Sequence, residues 1–229
     1  MLKLMMASII LALLQSIATI KGRGKMRSKL ALIPALILLS ASATLAQKHE
    51  LAFTSGGLKI GERGFDLPRP GRLKFGTGFT YEINYARRFF DGKIAALYVE
   101  FPFAGTPRTK VDSTNVLSPR SYSSIFFAPG VKLKLLPGGK YSPYALMGIG
   151  LARFNESSTR INDQPNTDQS SKVHNVFDFG AGLDVHVFSI LSIRGEVRDF
   201  YSELPPLNVN ALRDRQHNAL ISAGFVVRF

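Results

Sequence analysis

The chain has 229 residues, no cysteine, a hydrophobic content of 45% and a formal net charge of +13. The absence of cysteine excludes disulfides, thiolate metal sites and cysteine nucleophiles. A mean hydropathy of +0.08 is too low for a helical membrane protein, whereas a membrane β-barrel hides its apolar residues in alternation. Six of the 29 basic residues precede residue 47, where no acidic residue occurs, so the rest of the chain carries 23 minus 16, or +7. These later basic residues are scattered in short polar stretches, so nucleic acid is not expected as a partner.

The segment of residues 26–46 has the three parts of a secretory signal peptide. Arg27 and Lys29 form its basic start, Leu30–Leu39 its apolar core, and small residues precede the cleavage site. Cleavage after Ala46 is favoured over cleavage three residues earlier. The segment therefore predicts export of the chain.

Residues 1–25 carry another apolar run, upstream of this signal. We interpret them as an upstream leader or a misassigned start, with Met26 as the true start. A second interpretation stays open, in which both apolar runs are helices of an inner-membrane anchor. Each run has about 17 residues, the short limit for a spanning helix, and Pro34 lies inside the second run.

Residues 47–229 read as eight two-periodic strands, each long enough to cross a bilayer at a tilt. They are Glu50–Lys59, Phe75–Arg87, Lys93–Ala104, Tyr122–Leu135, Tyr141–Phe154, Val173–Val187, Ser192–Tyr201 and Gln216–Phe229. Tight turns alternate with long polar loops along the chain, which is typical of outer-membrane barrels. The predicted fold is all-β: an eight-stranded antiparallel up-and-down transmembrane β-barrel, preceded by a signal peptide.

The alternation keeps one phase through all eight strands, with apolar residues at odd positions and charged residues at even ones. If the odd face meets lipid, the even face lines the lumen, where a charge needs a partner. We therefore predict an ion-pair network in the lumen. Its predicted members are Glu82, Glu100, Lys132, Lys134, Asp178, Asp184, Arg194, Glu196, Arg198 and Arg228; Glu50 has the same phase and completes six acids and five bases.

A constant phase also constrains the turns, because a two-residue turn would exchange the two faces. The segment Phe90-Asp91-Gly92 fits a three-residue turn with glycine in the left-handed conformation. That register predicts Glu82 opposite Glu100, and the same reasoning places Asp184 opposite Arg194. Two facing carboxylates need a nearby cation, or one of them must hold a proton.

The chain ends in an uninterrupted two-periodic strand, ALISAGFVVRF, whose odd-numbered residues are all apolar. This ending resembles the terminal signature of bacterial outer-membrane β-barrels, whose last strand closes against the first. The resemblance implies that Phe225, Val227 and Phe229 form an assembly signal for the barrel-assembly machinery. Two inner segments, SPYALMGIGLARF (142–154) and FDFGAGLDVHVFSILSIRGEVRDFY (177–201), resemble the small eight-stranded outer-membrane β-barrel family, which includes the OmpA membrane domain, OmpX and OmpW.

This resemblance implies a bacterial outer-membrane protein with a periplasmic N-terminus and long extracellular loops. We expect a packed polar lumen, a structural or interaction role, and neither catalytic residues, cofactor nor metal. The expected partners are outer-membrane lipid, the assembly machinery during biogenesis and lipopolysaccharide phosphates, with the chain a monomer. The loop cations suited to such phosphates are Arg63, Arg69, Arg72, Arg108, Lys110, Arg213 and Arg215.

Three alternatives remain at this stage. The protein is a narrow channel for small solutes if the glycine-rich lumen leaves a gap. It is a lipid-modifying enzyme if it carries an outward-facing catalytic cluster, which the sequence does not reveal. A soluble lipocalin-like barrel is the rival fold, and it would turn the apolar face inward.

Overall fold

The computed structural model describes residues 48–67, 71–205, 207, 210–211 and 215–229. The predicted leader, the signal peptide and its cleavage sites lie outside the described residues, as do Arg69 and Arg213. A helix with the length and apolar character needed to span a membrane is absent from the described part of the chain. Regular structure in this part consists of β-strands.

Thirteen strands form one antiparallel sheet. They are β1 (His49–Ile60), β2 (Arg63–Leu67), β3 (Gly71–Phe75), β4 (Gly78–Asp91), β5 (Ala95–Ser113), β6 (Ser121–Phe127), β7 (Gly130–Leu135), β8 (Tyr141–Glu156), β9 (Ser171–His186), β10 (Leu191–Glu203), β11 (Asn210–Ala211), β12 (Arg215–Gln216) and β13 (Asn218–Arg228). Eight wall positions, with β6 and β7 sharing one, pair in the order β1, β4, β5, β6/β7, β8, β9, β10, β13. The last strand pairs back with the first, from Glu50–Arg228 to Ile60–Asn218. The predicted eight-stranded antiparallel barrel is therefore confirmed, and closure leaves no free edge in its wall.

The fourth predicted strand is interrupted, because β6 ends at Phe127 and β7 begins at Gly130. Pro129 lies in the gap and has no N–H to give to the ladder. The register of β5 is nevertheless the same on both sides, with Phe103 opposite Phe127 and Glu100 opposite Gly130. The wall thus continues past the proline.

The two ends of the barrel differ. Connections 92–94, 136–140 and 187–190 are short, and we call this the short-turn end. Connections 61–77, 114–120, 157–170 and 204–217 form the long-loop end, where β2, β3, β11 and β12 add short strands that the sequence did not predict. The β2–β3 hairpin pairs with the end of β5, so the sheet extends beyond the barrel on this side.

Burial follows the predicted phase in the wall strands, with even positions inside and odd positions outside. Large apolar side chains stand on the outer face, such as Tyr81, Met147, Ile149 and Ile221, each between 59% and 66% exposed. An exposed apolar face of this kind is what a lipid-facing barrel presents. The lipocalin-like alternative, which places that face inside, is therefore wrong.

The register between β4 and β5 differs from the prediction. Strand β5 begins at Ala95, two residues late, and a bulge lies between Arg88 and Phe90. Glu82 consequently faces Ala104 rather than Glu100, so the predicted pairing of these two carboxylates across the strands is wrong. No described glycine has a positive φ, so the predicted left-handed Gly92 is wrong as well. Asp184 does face Arg194, as predicted.

Candidate functional site

The barrel interior has two regions of different chemistry. The charged layer lies toward the short-turn end and comprises Glu50, Glu82, Glu100, Lys132, Lys134, Asp178, Asp184, Arg194, Glu196, Arg198 and Arg228. The apolar layer lies toward the long-loop end and comprises Leu58, Ile60, Leu73, Ala104, Val111, Tyr122, Phe126, Ala128, Ala152, Phe154, Val176, Phe200, Leu207 and Leu220. All members of both layers are buried.

The charged layer contains all ten predicted network residues, together with Glu50. It divides into two groups that meet at Lys132. The cationic cluster comprises Glu50, Asp184, Lys132, Lys134, Arg194 and Arg228. The acidic cluster comprises Glu82, Glu100, Asp178, Glu196 and Arg198.

Glu50 is the centre of the cationic cluster, although the sequence did not single it out. Its carboxylate is paired with Lys134, lies 3.2 Å from Lys132 Nζ and lies 3.6 Å from both Arg194 and Arg228. Two features of the sequence point to it: the even phase, and its place at the start of the strand that closes against β13. Its partners come from three other wall strands, so Glu50 connects the closing seam, where β1 pairs with β13, to the opposite wall.

Asp184 is the second acid of this cluster. Because it faces Arg194 across the ladder, the guanidinium donates two hydrogen bonds, of 2.8 and 3.0 Å, to its two oxygens. Lys134 Nζ adds a third contact at 2.7 Å. The ammonium groups of Lys132 and Lys134 also lie 5.2 and 5.1 Å from the ring centre of Tyr98, within the range of a cation–π contact.

Arg198 is the centre of the acidic cluster and is fully buried. Its side chain is surrounded by four carboxylates from four strands. The distances are 2.7 Å from Nη1 to Asp178, 3.1 Å from Nη2 to Glu100, 3.1 Å from Nε to Glu196 and 3.4 Å from Nη2 to Glu82. Lys132 Nζ, 3.4 Å from Glu100, is the ion pair that links this cluster to the cationic one.

The apolar layer is held by aromatic rings. Phe126 and Phe200 stack with centres 4.5 Å apart and planes 13° apart, and Phe154 meets Phe126 edge-on at 5.8 Å. Tyr122 contacts Phe154 in the same way at 6.0 Å. These are even-numbered residues from three walls, so their inward direction follows from the phase, but their concentration at one level depends on the registers.

At the long-loop end, Glu156 joins two connections. Its carboxylate accepts hydrogen bonds from the backbone N–H of Leu207 at 3.0 Å, the backbone N–H of Ser170 at 3.2 Å and the amide of Asn166 at 3.4 Å. Burial raises the pKa of this carboxyl, while the two backbone donors act in the opposite direction. The sequence predicts only a polar loop here, whereas the structure places segment 157–170 against the barrel mouth.

The three residues of the predicted assembly signal lie on the closing strand or next to it. Phe229 exchanges backbone hydrogen bonds with His49, at 2.9 and 3.0 Å, and its ring stacks on the imidazole at 5.6 Å. His49 Nδ1 is in turn 2.7 Å from the Tyr85 hydroxyl. Phe225 packs outside the wall against Phe53 at 5.4 Å, and Val227 is half-buried and faces Leu51 across the ladder.

The outer face carries a His–acid pair just beyond the apolar band. His217 Nδ1 lies 2.6 Å from Asp199 Oδ2, and the ring of Tyr201 lies 4.7 Å from the imidazole. The pair adjoins Val197 and Ile221, which are among the exposed apolar residues. Elsewhere among the described residues, no group of three or more His, Asp or Glu has the geometry to hold a metal ion.

Comparison with known proteins gives matches in structure only. No protein-family model matches the chain, and no curated protein matches its sequence. OprG from Pseudomonas aeruginosa, an outer membrane protein, is similar with a TM-score of 0.53 and 11% identity over 80% of this chain and 96% of that one. The neisserial surface protein NspA is similar with a TM-score of 0.49 and 14% identity, over 79% and 97% of the two chains. The outer membrane enzyme PagL is similar with a TM-score of 0.44 and 19% identity, over 78% and 99%.

The likeness to OprG shows the fold and nothing finer, since the identity is low. Together with the closed ring and its apolar outer face, it confirms at the level of fold the resemblance found in the sequence. The chain has the fold of the small outer-membrane β-barrels.

Proposed function

We propose that the protein spans the bacterial outer membrane as a closed, mainly non-conducting barrel and acts through its long-loop end. The observation that carries this proposal is the filling of the lumen by two buried layers. A water-filled channel hydrates its lining charges, whereas Lys132, Lys134 and Arg198 are fully buried here. The stacked Phe126–Phe200 pair lies above them. The lumen therefore supplies a rigid support for the loops rather than a path for solutes.

Lipid, including lipopolysaccharide, is the partner that the outer surface favours. At the long-loop end Arg72 and Lys74 line an open basin of about 580 Å³ beside Asp112. Lys74 has one ion pair, with Glu62 at 3.6 Å, and both side chains are more than half exposed. Such a pair is weak, so Lys74 and Arg72 retain donors for phosphate.

The proposal includes an orientation in the membrane: the short-turn end and the N-terminus face the periplasm, and the long loops lie outside the cell. We further propose that Phe225, Val227 and Phe229 are the segment read by the assembly machinery, and that the folded protein is a monomer. Both ideas are supported by the position of these residues at the closing seam and by the completeness of the ring.

The absence of native cysteine makes a direct test possible. Single cysteines at Asp168, in the loop 157–170, and at Lys93, in the short turn 92–94, are treated on intact cells with a membrane-impermeant maleimide. We expect labelling at position 168 and none at 93 until the outer membrane is permeabilised. If only position 93 is labelled on intact cells, the orientation is the reverse of the proposed one. If the protein is in the outer-membrane fraction and neither position is labelled, the proposal is refuted.

A lipid-modifying enzyme is the second candidate, and the His217–Asp199 pair is the observation that favours it. A carboxylate on Nδ1 orients an imidazole so that Nε2 is free to act as a general base. Its place at the edge of the apolar band is where lipid esters lie. Purified protein in vesicles should then release fatty acid, and His217→Ala should abolish the release; no hydrolysis by the unmodified protein would eliminate this candidate.

A further inference from the structure

The charges of the lumen are unevenly distributed. With every group ionised, the cationic cluster holds four cations and two carboxylates, a formal +2, and the acidic cluster holds one guanidinium and four carboxylates, a formal −3. The two together carry −1. A buried charge without compensation is costly, so the acidic cluster lacks at least one positive charge.

The hydrogen bonds show the same deficit independently. Among the described residues, three acceptor oxygens are buried without a donor in the acidic cluster or on Asn84, which donates to Glu100: Glu82 Oε1, Asp178 Oδ1 and Asn84 Oδ1. Their side chains are at most 3% exposed. Arg198 already donates to Asp178, Glu100 and Glu196, so the guanidinium is committed elsewhere. The cluster is short of a donor as well as of a charge.

The surroundings of each carboxylate identify the least compensated one. Glu100 has two cations and the Asn84 amide at 3.1 Å, and Glu196 has Arg198 and the Tyr144 hydroxyl at 2.6 Å. Asp178 has a short contact with Arg198. Glu82 has only the longest Arg198 contact, at 3.4 Å, and the Thr54 hydroxyl at 3.2 Å.

Among the residues that the structure describes, the remaining strands bring no further charge to Glu82. Strand β13 contributes Ser222 and Gly224 at this level, and β1 contributes Thr54. Strand β7 contributes Lys132, which lies on Glu50 and Glu100. The groups that face Glu82 from all sides are therefore three carboxylates, one guanidinium and neutral hydroxyls or amides.

We propose that Glu82 is a buried proton-binding site, occupied at neutral pH. A proton on its carboxyl removes one negative charge, which brings the lumen to formal neutrality, and converts an acceptor into an O–H donor. One proton thus removes the excess negative charge and lowers the number of these acceptors without a donor from three to as few as one. This inference rests on the proposed function only in requiring a dry lumen, because water would supply donors and screen the charges.

The experiment compares the unmodified chain with Glu82→Gln, whose amide is neutral and donates hydrogen bonds as the protonated acid does. Urea unfolding is measured in phospholipid vesicles between pH 6 and pH 9. The folded chain holds a proton that an unfolded glutamate has lost, so stability is greatest at low pH and falls as pH rises. The unfolding equilibrium constant should rise up to about tenfold per pH unit for the unmodified chain and stay nearly flat for Glu82→Gln.

Glu50→Gln is the matched control, since it neutralises a carboxylate that has four cations around it. It should destabilise at every pH and keep the pH slope of the unmodified chain. Infrared difference spectra give a second readout that needs no unfolding: the unmodified chain should show a protonated-carboxyl band at pH 7 that is missing from Glu82→Gln. If Glu82→Gln does not fold, the disappearance of this band on raising the pH of the unmodified chain supports the site.

Two results would overturn the inference. Equal pH slopes in both chains, with no protonated-carboxyl band, would show that Glu82 is ionised. A stability that depends on the concentration of sodium or potassium at fixed pH, with no such band, would show that a metal cation occupies the cluster. Single-channel recordings on the same samples separate this failure from that of the proposed function. A barrel that does not conduct and shows no protonated-carboxyl band would contradict only the proton on Glu82. Steady conductance would contradict the dry lumen, and with it the proposed function.

Discussion

The charged and apolar layers both face the barrel interior, are buried to the same extent and lie one above the other, yet they are stabilised differently. In the charged layer each group depends on named partners, so a single change leaves a buried charge uncompensated. In the apolar layer the rings contribute area and shape, so a change leaves a cavity. The even phase is common to both layers and does not distinguish them. The layers differ in which side chains stand at each height along the barrel axis.

The largest effect is expected where the most partners depend on one residue. Arg198→Leu should destabilise the protein by several kcal/mol, on the order of 3–5, because four carboxylates lose their shared cation. Urea unfolding in vesicles measures the loss. Arg215→Leu, at an exposed position, is the control and should change stability by less than about 0.5 kcal/mol; equal losses would contradict the distinction.

The apolar layer should respond with a similar but slightly smaller loss and with a different signature. Phe200→Ala removes a fully buried ring stacked on Phe126 and should cost about 3–4 kcal/mol. The ring does not titrate, and the Arg198 guanidinium, 5.8 Å from its centre, stays charged over this range, so the loss should be the same between pH 6 and pH 9. A pH-dependent loss would mean that the two layers are not independent. Phe200→Leu, which keeps most of the volume, should recover more than half of the stability.

A charge placed on the outer face of the wall tests whether that face contacts lipid. Phe127→Arg places a cation on the exposed apolar side of the wall and should cost about 2–4 kcal/mol near the bilayer midplane. Val173→Arg is the control, since Val173 pairs with Arg153, an outward arginine that already lies at that level, and about 0–1 kcal/mol is expected there. Unfolding in vesicles of one lipid gives both values, and a reversed order would contradict the position of the membrane.

Glycine contacts give a smaller effect. A Cβ on Gly150 would overlap the backbone oxygen of Phe127, whereas a Cβ on Gly105 meets nothing within 4 Å. Gly150→Ala should therefore cost about 1–3 kcal/mol, and Gly105→Ala should be neutral or slightly stabilising. Thermal or urea unfolding measures the stability change of each variant. Equal changes would mean that β6 and β8 do not approach each other so closely at Gly150.

The smallest effect on stability, with the clearest effect on yield, is expected at the terminus. Deleting Phe229 removes one half-buried ring and its contact with His49, but it also removes the end of the proposed assembly segment. The amount of folded protein in the outer membrane should drop while the stability of refolded protein changes little. Quantitative blotting of membrane fractions measures the first, and unchanged levels would contradict the assembly role.

The sequence predicts the ring, its phase and the inward position of all eleven charged-layer residues, ten of which it assigns to the ion-pair network, because a two-residue period is a local property of each strand. It predicts that Asp184 faces Arg194, but it does not predict the cations that the other carboxylates meet. The β4–β5 bulge near Phe90 moves Glu82 away from Glu100, and it is set by the turn geometry rather than by the pattern. The gathering of Phe126, Phe154 and Phe200 at one level, and of four acids on Arg198, depends on how three or more walls are staggered.

The small strands at the long-loop end escape prediction for a related reason. Strands β2 and β3 are only five residues long, and they form because the far end of β5 offers an edge on which β3 pairs. Glu156 likewise lies in the loop that the sequence predicts after Phe154, and its role follows only from the backbone donors of Ser170 and Leu207 that reach it.

Conductance of the unmodified protein in a planar bilayer tests the central claim most directly, since the claim is that two buried layers fill the lumen. We predict no steady conductance above the background of the lipid, with rare openings at most, and a measurable leak in Arg198→Leu. Large and steady conductance from the unmodified protein would contradict the account, because it would mean that the lumen holds a continuous column of water and that the protein is a channel.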